Sequence, residues 1–176
     1  MDEKTVKTDL IYAGRLFNVE RIEVLQPDGK QRVRELIRHP GATALVAIDA
    51  QGMILLVRQF RIASGRVMKE IPAGTLNPAE PPEVCAIREL QEETGYKPGK
   101  LDSLGGFYVA PGYTTEYIHL FLATDLTESR LPGDDDEFIE VDRVSLADAL
   151  AMIERGEIVD SKTIIGVLRY ARLIGK

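Results

Sequence analysis

One segment, residues 74–96, constrains this chain more than any other. Gly74 is followed by five residues, then Glu80, then seven more. The run Arg88-Glu89-Leu90-Gln91-Glu92-Glu93-Thr94-Gly95-Tyr96 comes next. Pro81-Pro82 suits the first turn of a helix, where a missing N–H costs nothing. Gly95 suits a left-handed cap. The spacing therefore predicts a helix over 83–94. At about 100° per residue, Val84, Ala86, Ile87, Leu90 and Thr94 share one arc, expected to face the core. Cys85 is expected on the polar side, as an inert thiol. Glu89 and Glu93 are four apart and lie one above the other, with Glu92 further round. Like charges at that spacing repel. Arg88 can satisfy one carboxylate, and a hard divalent cation can satisfy the rest.

Composition narrows the class. The chain has 176 residues, 44% hydrophobic and 28% charged, which suits a globular protein with a sizeable core. A net charge of −6 argues against nucleic-acid binding through a general basic field. A single cysteine excludes an internal disulfide and suits a reducing, cytoplasmic setting. The charged start MDEKTVKTDL has no apolar signal region, and no run is long enough to span a membrane.

Residues 1–39 are expected to form a small antiparallel β-unit, and 40–176 the main domain. Strands near 10–12, 17–25 and 31–38 surround the turn Gln26-Pro27-Asp28-Gly29-Lys30. Two or three short strands bury no core alone. Such a unit leans on the main domain or on another copy of the chain. In the main domain, 42–48 and 53–59 are expected to pair as a hairpin. Strands near 66–71, 104–109, 117–124 and 138–144 follow. Ser145 and Asp160 are expected to cap two further helices. The fold class is α/β, a mixed sheet between helices.

The 74–96 pattern resembles the Nudix box, the mark of hydrolases that cleave nucleoside diphosphates linked to another moiety. The resemblance implies Mg²⁺, with Mn²⁺ or another divalent cation as a substitute. Glu89 and Glu93 would be its main ligands, Glu92 would lie beside them, and the carbonyl of Ala73 would complete the set. Arg88 would orient a box glutamate, and Glu80 would support the loop.

Outside the box, Pro111 stands sixteen residues beyond Gly95, and Gln59-Phe60-Arg61 precedes the box. Both resemble the ADP-ribose pyrophosphatase branch of the family, in which an arginine at the place of Arg61 contacts phosphate. That branch also implies a loop glutamate that polarises water. The alignment puts it at Glu137, then Glu140, then Asp136. Glu116 is a candidate substrate contact. In this branch the N-terminal unit crosses to a partner subunit, which makes Phe17 and Arg34 candidates for adenosine binding in a homodimer. His39 and His119 are read as structural. The expected reaction is hydrolysis of a nucleotide sugar, foremost ADP-ribose, to AMP and ribose 5-phosphate. Another nucleotide sugar, a dinucleotide, or a sensor that binds without cleaving are the alternatives.

Overall fold

The Pro27-Asp28-Gly29 turn reverses the chain where the sequence predicts. The Gly29 N–H donates to the Gln26 carbonyl at 2.9 Å. The turn joins β2 (Asn18–Leu25) to β3 (Gln31–Arg38), and β1 (Lys4–Ala13) pairs antiparallel on the other side of β2. The computed structural model describes residues 2–133 and 138–176, and the chain divides into two compact units. The first runs up to Gly41 and also takes in Tyr108–Tyr117. That loop joins β3 through the Ile37 N–H, which donates to the Tyr113 carbonyl at 2.8 Å, and through the Thr115 N–H, which donates back to Ile37 at 3.0 Å. Within this unit Ile22 and Val24 are buried, while β1 is exposed along nearly its whole length.

The second unit comprises Ala42–Phe107 and Ile118–Lys176. Its strands and helices are β4 (Ala42–Ala47), β5 (Ile54–Arg61), β6 (Arg66–Glu70), β7 (Ala73–Thr75), α1 (Pro82–Thr94), β8 (Tyr96–Lys97), β9 (Lys100–Tyr108), β10 (Tyr117–Thr124), β11 (Thr127–Glu128), β12 (Glu140–Val144), α2 (Leu146–Glu154) and α3 (Ser161–Leu173). One sheet has the order β7-β4-β10-β9, a second β12-β5-β6, and β8 pairs with β11. β4 runs parallel to β10 and antiparallel to β7, so the sheet is mixed, as expected.

β4 is buried at every position because both of its faces are covered. Ala44 and Val46 pack with Leu120, Ala149 of α2 and Val167 of α3. Leu45 and Ala47 face the other way, onto Phe121 and onto Ala86 and Leu90 of α1. The alternation of a strand thus places α1 on one face and α2 with α3 on the other. Each fully buried leucine contributes about 2 kcal/mol of transfer free energy.

Two expectations need correction. β4 and β5 do not form a hairpin. They meet at the single bridge Ile48–Ile54 and then enter different sheets, β4 between β7 and β10 and β5 between β12 and β6. The buried arc of α1 is also rotated from the expected one. Cys85, Ala86, Leu90, Glu93 and Thr94 are buried, whereas Val84 is 53% exposed. The predicted ends of the helices stand. Gly95 caps α1 at φ 80°. The Ser145 hydroxyl accepts the Asp148 N–H, and the Asp160 carboxylate accepts the Thr163 N–H.

Candidate active site

β7 and α1 bring the two ends of the box together. The loop between them closes on Glu80, whose carboxylate accepts the Asn77 N–H at 3.0 Å. Arg88, nearly two turns into α1, then grips Glu80 with two parallel bonds, Nε to Oε1 at 3.0 Å and Nη2 to Oε2 at 3.1 Å. Its Nη1 lies 2.7 Å from Glu89 and 2.8 Å from Glu92. Arg88 is therefore the cationic centre of three box glutamates, and their hydrogen bonds and charges raise its pKa above the usual arginine value, the Glu80 bonds first among them.

Glu89 and Glu93 reach toward β7. The Glu89 carboxylate lies directly over Gly74, and a Cβ there would stand 1.8 Å from its carboxyl carbon. Glu93 is 6% exposed and accepts the Ala73 N–H at 3.0 Å. Hence Ala73, Gly74, Glu89 and Glu93 are brought together, with Glu92 alongside through Arg88. Among the described residues, no group of three or more histidine, cysteine or acidic side chains converges on one point. The glutamates are gathered around Arg88 instead. The donor set nonetheless fits a hard divalent cation. It offers carboxylate oxygens and a backbone carbonyl, and a glycine leaves the space in which a carboxylate can lie against the strand.

A second cluster flanks the first; the sequence reading found its Arg61 but missed the Glu70 and Lys162 that hold it. Glu70 ends β6 and is 2% exposed. Arg61 binds it bidentately, Nε to Oε1 at 2.9 Å and Nη2 to Oε2 at 2.8 Å. Lys162 of α3 also donates to Glu70 and lies 3.1 Å from Asp160. Burial alone would raise the Glu70 pKa, but the Arg61 and Lys162 bonds outweigh it and the net shift is downward. Arg61 is shifted upward, chiefly by the Glu70 bonds, with a contribution from the Glu93 charge. Its side chain remains 39% exposed. The available signal was a charged residue beside an apolar strand end, Glu70-Ile71. Its partner Lys162 stands 92 residues away, beyond any local pattern.

The remaining candidates fall elsewhere. Phe17, Arg34, Pro111 and Glu116 belong to the first unit. Phe17 lies 6.3 Å from Tyr12, ring to ring, and lines a cavity of about 360 Å³ with Arg15, Arg38 and His39. Arg34 is bound to Glu3. Pro111 is exposed in a turn closed by the Tyr113 N–H donating to the Ala110 carbonyl at 3.1 Å. The Glu116 N–H donates to Thr114. Glu137 and Asp136 lie outside the described residues. Glu140 is ion-paired with Arg58 across the β12–β5 ladder. Cys85 is buried, not on the polar side as expected. Burial pushes its thiol up to about 11, so it is inert as a nucleophile at neutral pH.

Arg88 makes a prediction about acid stability. Its hydrogen bonds lower the Glu80 pKa from 4.5 to about 2. The folded value lies below the unfolded one, so this pairing stabilises fully above pH 4.5 and is lost as pH falls toward about 2. Wild type should therefore melt above Glu80→Gln at neutral pH, and the gap should close between about pH 5 and pH 2.5. A gap that does not vary with pH would show that the pairing contributes through shape alone.

Alternating β4, the α1 and α2/α3 layers and the 74–96 loop and helix define an α/β sandwich that presents a carboxylate-rich helix beside a strand. The chain matches the NUDIX domain over residues 37–164 and belongs to the Nudix family. Members of that family generally use divalent cations. The chain is 42% identical over 175 residues to the ADP-ribose pyrophosphatase of Bacillus subtilis (strain 168), covering 98% of this chain and 94% of that one. It is 41% identical over 174 residues to the methanol dehydrogenase activator of Bacillus methanolicus, covering 98% and 94%. A crystal structure of an ADP compounds hydrolase superposes with a TM-score of 0.87 at 22% identity, over 99% of this chain and 97% of that one, which is likeness of fold. Among the described residues no helix is long and apolar enough to cross a membrane.

Proposed function

We propose that this Nudix hydrolase cleaves the diphosphate bond of ADP-ribose to AMP and ribose 5-phosphate, with Mg²⁺ bound by Glu89, Glu93 and the Ala73 carbonyl and with Glu92 beside them. The observation that carries the reading is the pairing of two clusters: box glutamates against Gly74, and an arginine held by Glu70 so that its other edge is available to phosphate. The name of the Bacillus subtilis relative supports the choice of substrate.

A bound cation supplies charge neutralisation on the diphosphate and acidifies water. Arg61 binds phosphate oxygens through the N–H groups that Glu70 leaves free, and so holds the charged diphosphate in the site before and during cleavage alike. Arg88 keeps Glu89 and Glu92 in place. Glu137 takes the proton of the attacking water. Glu140 is the weaker choice for that role, because its charge is already engaged by Arg58. Phe17, Arg34, Pro111 and Glu116 contact the nucleoside and ribose moieties. The exposed edge strand β1, with Leu10, Ile11 and Tyr12 each more than half exposed, supports a homodimer joined through the N-terminal unit. Light scattering that shows an active monomer would remove the dimer.

A substrate panel with Mg²⁺ tests the function. Among ADP-ribose, ADP-glucose, GDP-mannose, NADH and diadenosine polyphosphates, ADP-ribose should have the highest kcat/KM. If another compound wins by about tenfold or more, roughly 1.4 kcal/mol at the transition state, the substrate assignment falls. In the same assay Glu137→Gln should lower kcat strongly with little change in KM, and Glu140→Gln should not. The likeness to a methanol dehydrogenase activator favours a second reading, stimulation of a dehydrogenase. Adding the chain to such an enzyme with and without Mg²⁺ separates the two.

A further inference from the structure

We propose that Lys162, at the start of α3, is a positioning residue for the diphosphate: acting through Glu70, it holds the Arg61 guanidinium with one edge fixed and the other turned outward. The inference rests on the reading of Arg61 as the phosphate contact.

The guanidinium is planar. Fixing Nε and Nη2 on the Glu70 carboxylate also fixes the direction of the opposite edge. Glu70 therefore aims Arg61, and what holds Glu70 matters as much. A buried carboxylate is tolerated only when it is paired. Glu70 takes Arg61 on one side and Lys162 on another, and the Lys162 side chain is itself only 12% exposed. Lys162 also reaches Asp160, so two cations and two carboxylates balance. Without the lysine charge, Arg61 faces both Glu70 and Asp160 as the remaining cation of the cluster. Its charge is then drawn inward, and a diphosphate must compete with two carboxylates for it.

The same helical turn holds the neighbouring backbone. Asp160 accepts the Thr163 N–H at 2.9 Å and the Thr163 hydroxyl at 2.6 Å. That hydroxyl in turn accepts the Ile71 N–H at 2.8 Å. The first turn of α3 thus grips two consecutive residues, Glu70 and Ile71, just ahead of Ala73. A segment far from the box in sequence sets the strand that carries the box carbonyl and the arginine beside it.

A double-mutant cycle tests this, read as kcat and KM for ADP-ribose with Mg²⁺. Lys162→Met removes the charge and keeps the stem. KM should rise about tenfold, kcat should change by less than about threefold, and Lys162→Arg should return KM to within about threefold of wild type. In an Arg61→Ala background, Lys162→Met should add less than about twofold, because its effect passes through the missing side chain. Full multiplication of the two effects would overturn the proposal, as would an unchanged KM or a fall in kcat at constant KM. Wild-type kinetics in Arg61→Ala would overturn the phosphate role of Arg61 and this inference with it, a distinct pattern. Thermal unfolding is followed for each variant. If Lys162→Met does not fold, Lys162→Gln, which still donates a hydrogen bond, carries the same cycle.

Discussion

Replacing Glu93 with glutamine is expected to lower kcat on ADP-ribose by a hundredfold or more, about 2.7 kcal/mol at the transition state, with almost no loss of stability. The two effects separate for a structural reason. Glu93 accepts the Ala73 N–H, and a glutamine carbonyl oxygen can accept the same bond. Neither that buried N–H nor the packing of α1 is disturbed, so the variant should melt near wild type. What disappears is the anionic charge, one of the donors proposed for the cation. Glu89→Gln should act alike on turnover, while Arg88 retains Glu80 and Glu92 as partners. EDTA should abolish wild-type activity and the residual turnover of both variants with it. Turnover within about tenfold of wild type in both variants would remove these glutamates from the metal site.

The box helix shows what local pattern can and cannot convey. Its ends were legible, because Pro81-Pro82 and Gly95 act through their own backbone preferences. Its buried face was legible only in part, since Ala86, Leu90 and Thr94 are buried as expected. Hydrophobic periodicity placed Val84 inside and Cys85 outside, and the structure reverses both. The buried arc is centred near Glu93, which is drawn in by the Ala73 N–H, and Cys85 follows it under Thr43 and the Thr75 carbonyl. A functional carboxylate that is buried for its hydrogen bond is invisible to a rule that counts apolar residues.

The same limit explains the sheet and the second cluster. β4 and β5 were recognisable as strands from their apolar runs, but their partners were not. β4 pairs with β10, and β5 with β12. Both pairings join segments some 70 residues or more apart. Arg61 was legible through its likeness to a family position. Glu70, which aims it, and Lys162, which steadies Glu70, carried no such mark. Their meeting depends on α3 folding back over β4.

Gly74→Ala should lower turnover about as far as Glu89→Gln while leaving the protein folded. Gly74 does not occupy the left-handed region, so alanine brings no backbone strain. The difficulty is space. A Cβ would stand 1.8 Å from the Glu89 carboxyl carbon and 2.0 and 2.2 Å from its oxygens, distances no contact allows. The obstacle is the end of a flexible side chain and not backbone, so the side chain will rotate away at little cost in stability. Glu89 then leaves the face of β7 and, with it, the neighbourhood of the Ala73 carbonyl. Its link to Arg88 can survive the move, since both side chains are long and Arg88 retains Glu80. The expected result is a loss of kcat of a hundredfold or more, about 2.7 kcal/mol, a melting temperature within a few degrees of wild type, and no further loss when Glu89→Gln is added. That last measurement decides the matter. If the two substitutions multiply, Gly74 acts on something other than the Glu89 carboxylate. If Gly74→Ala is fully active, the position of that carboxylate against the strand is not the one the reaction uses.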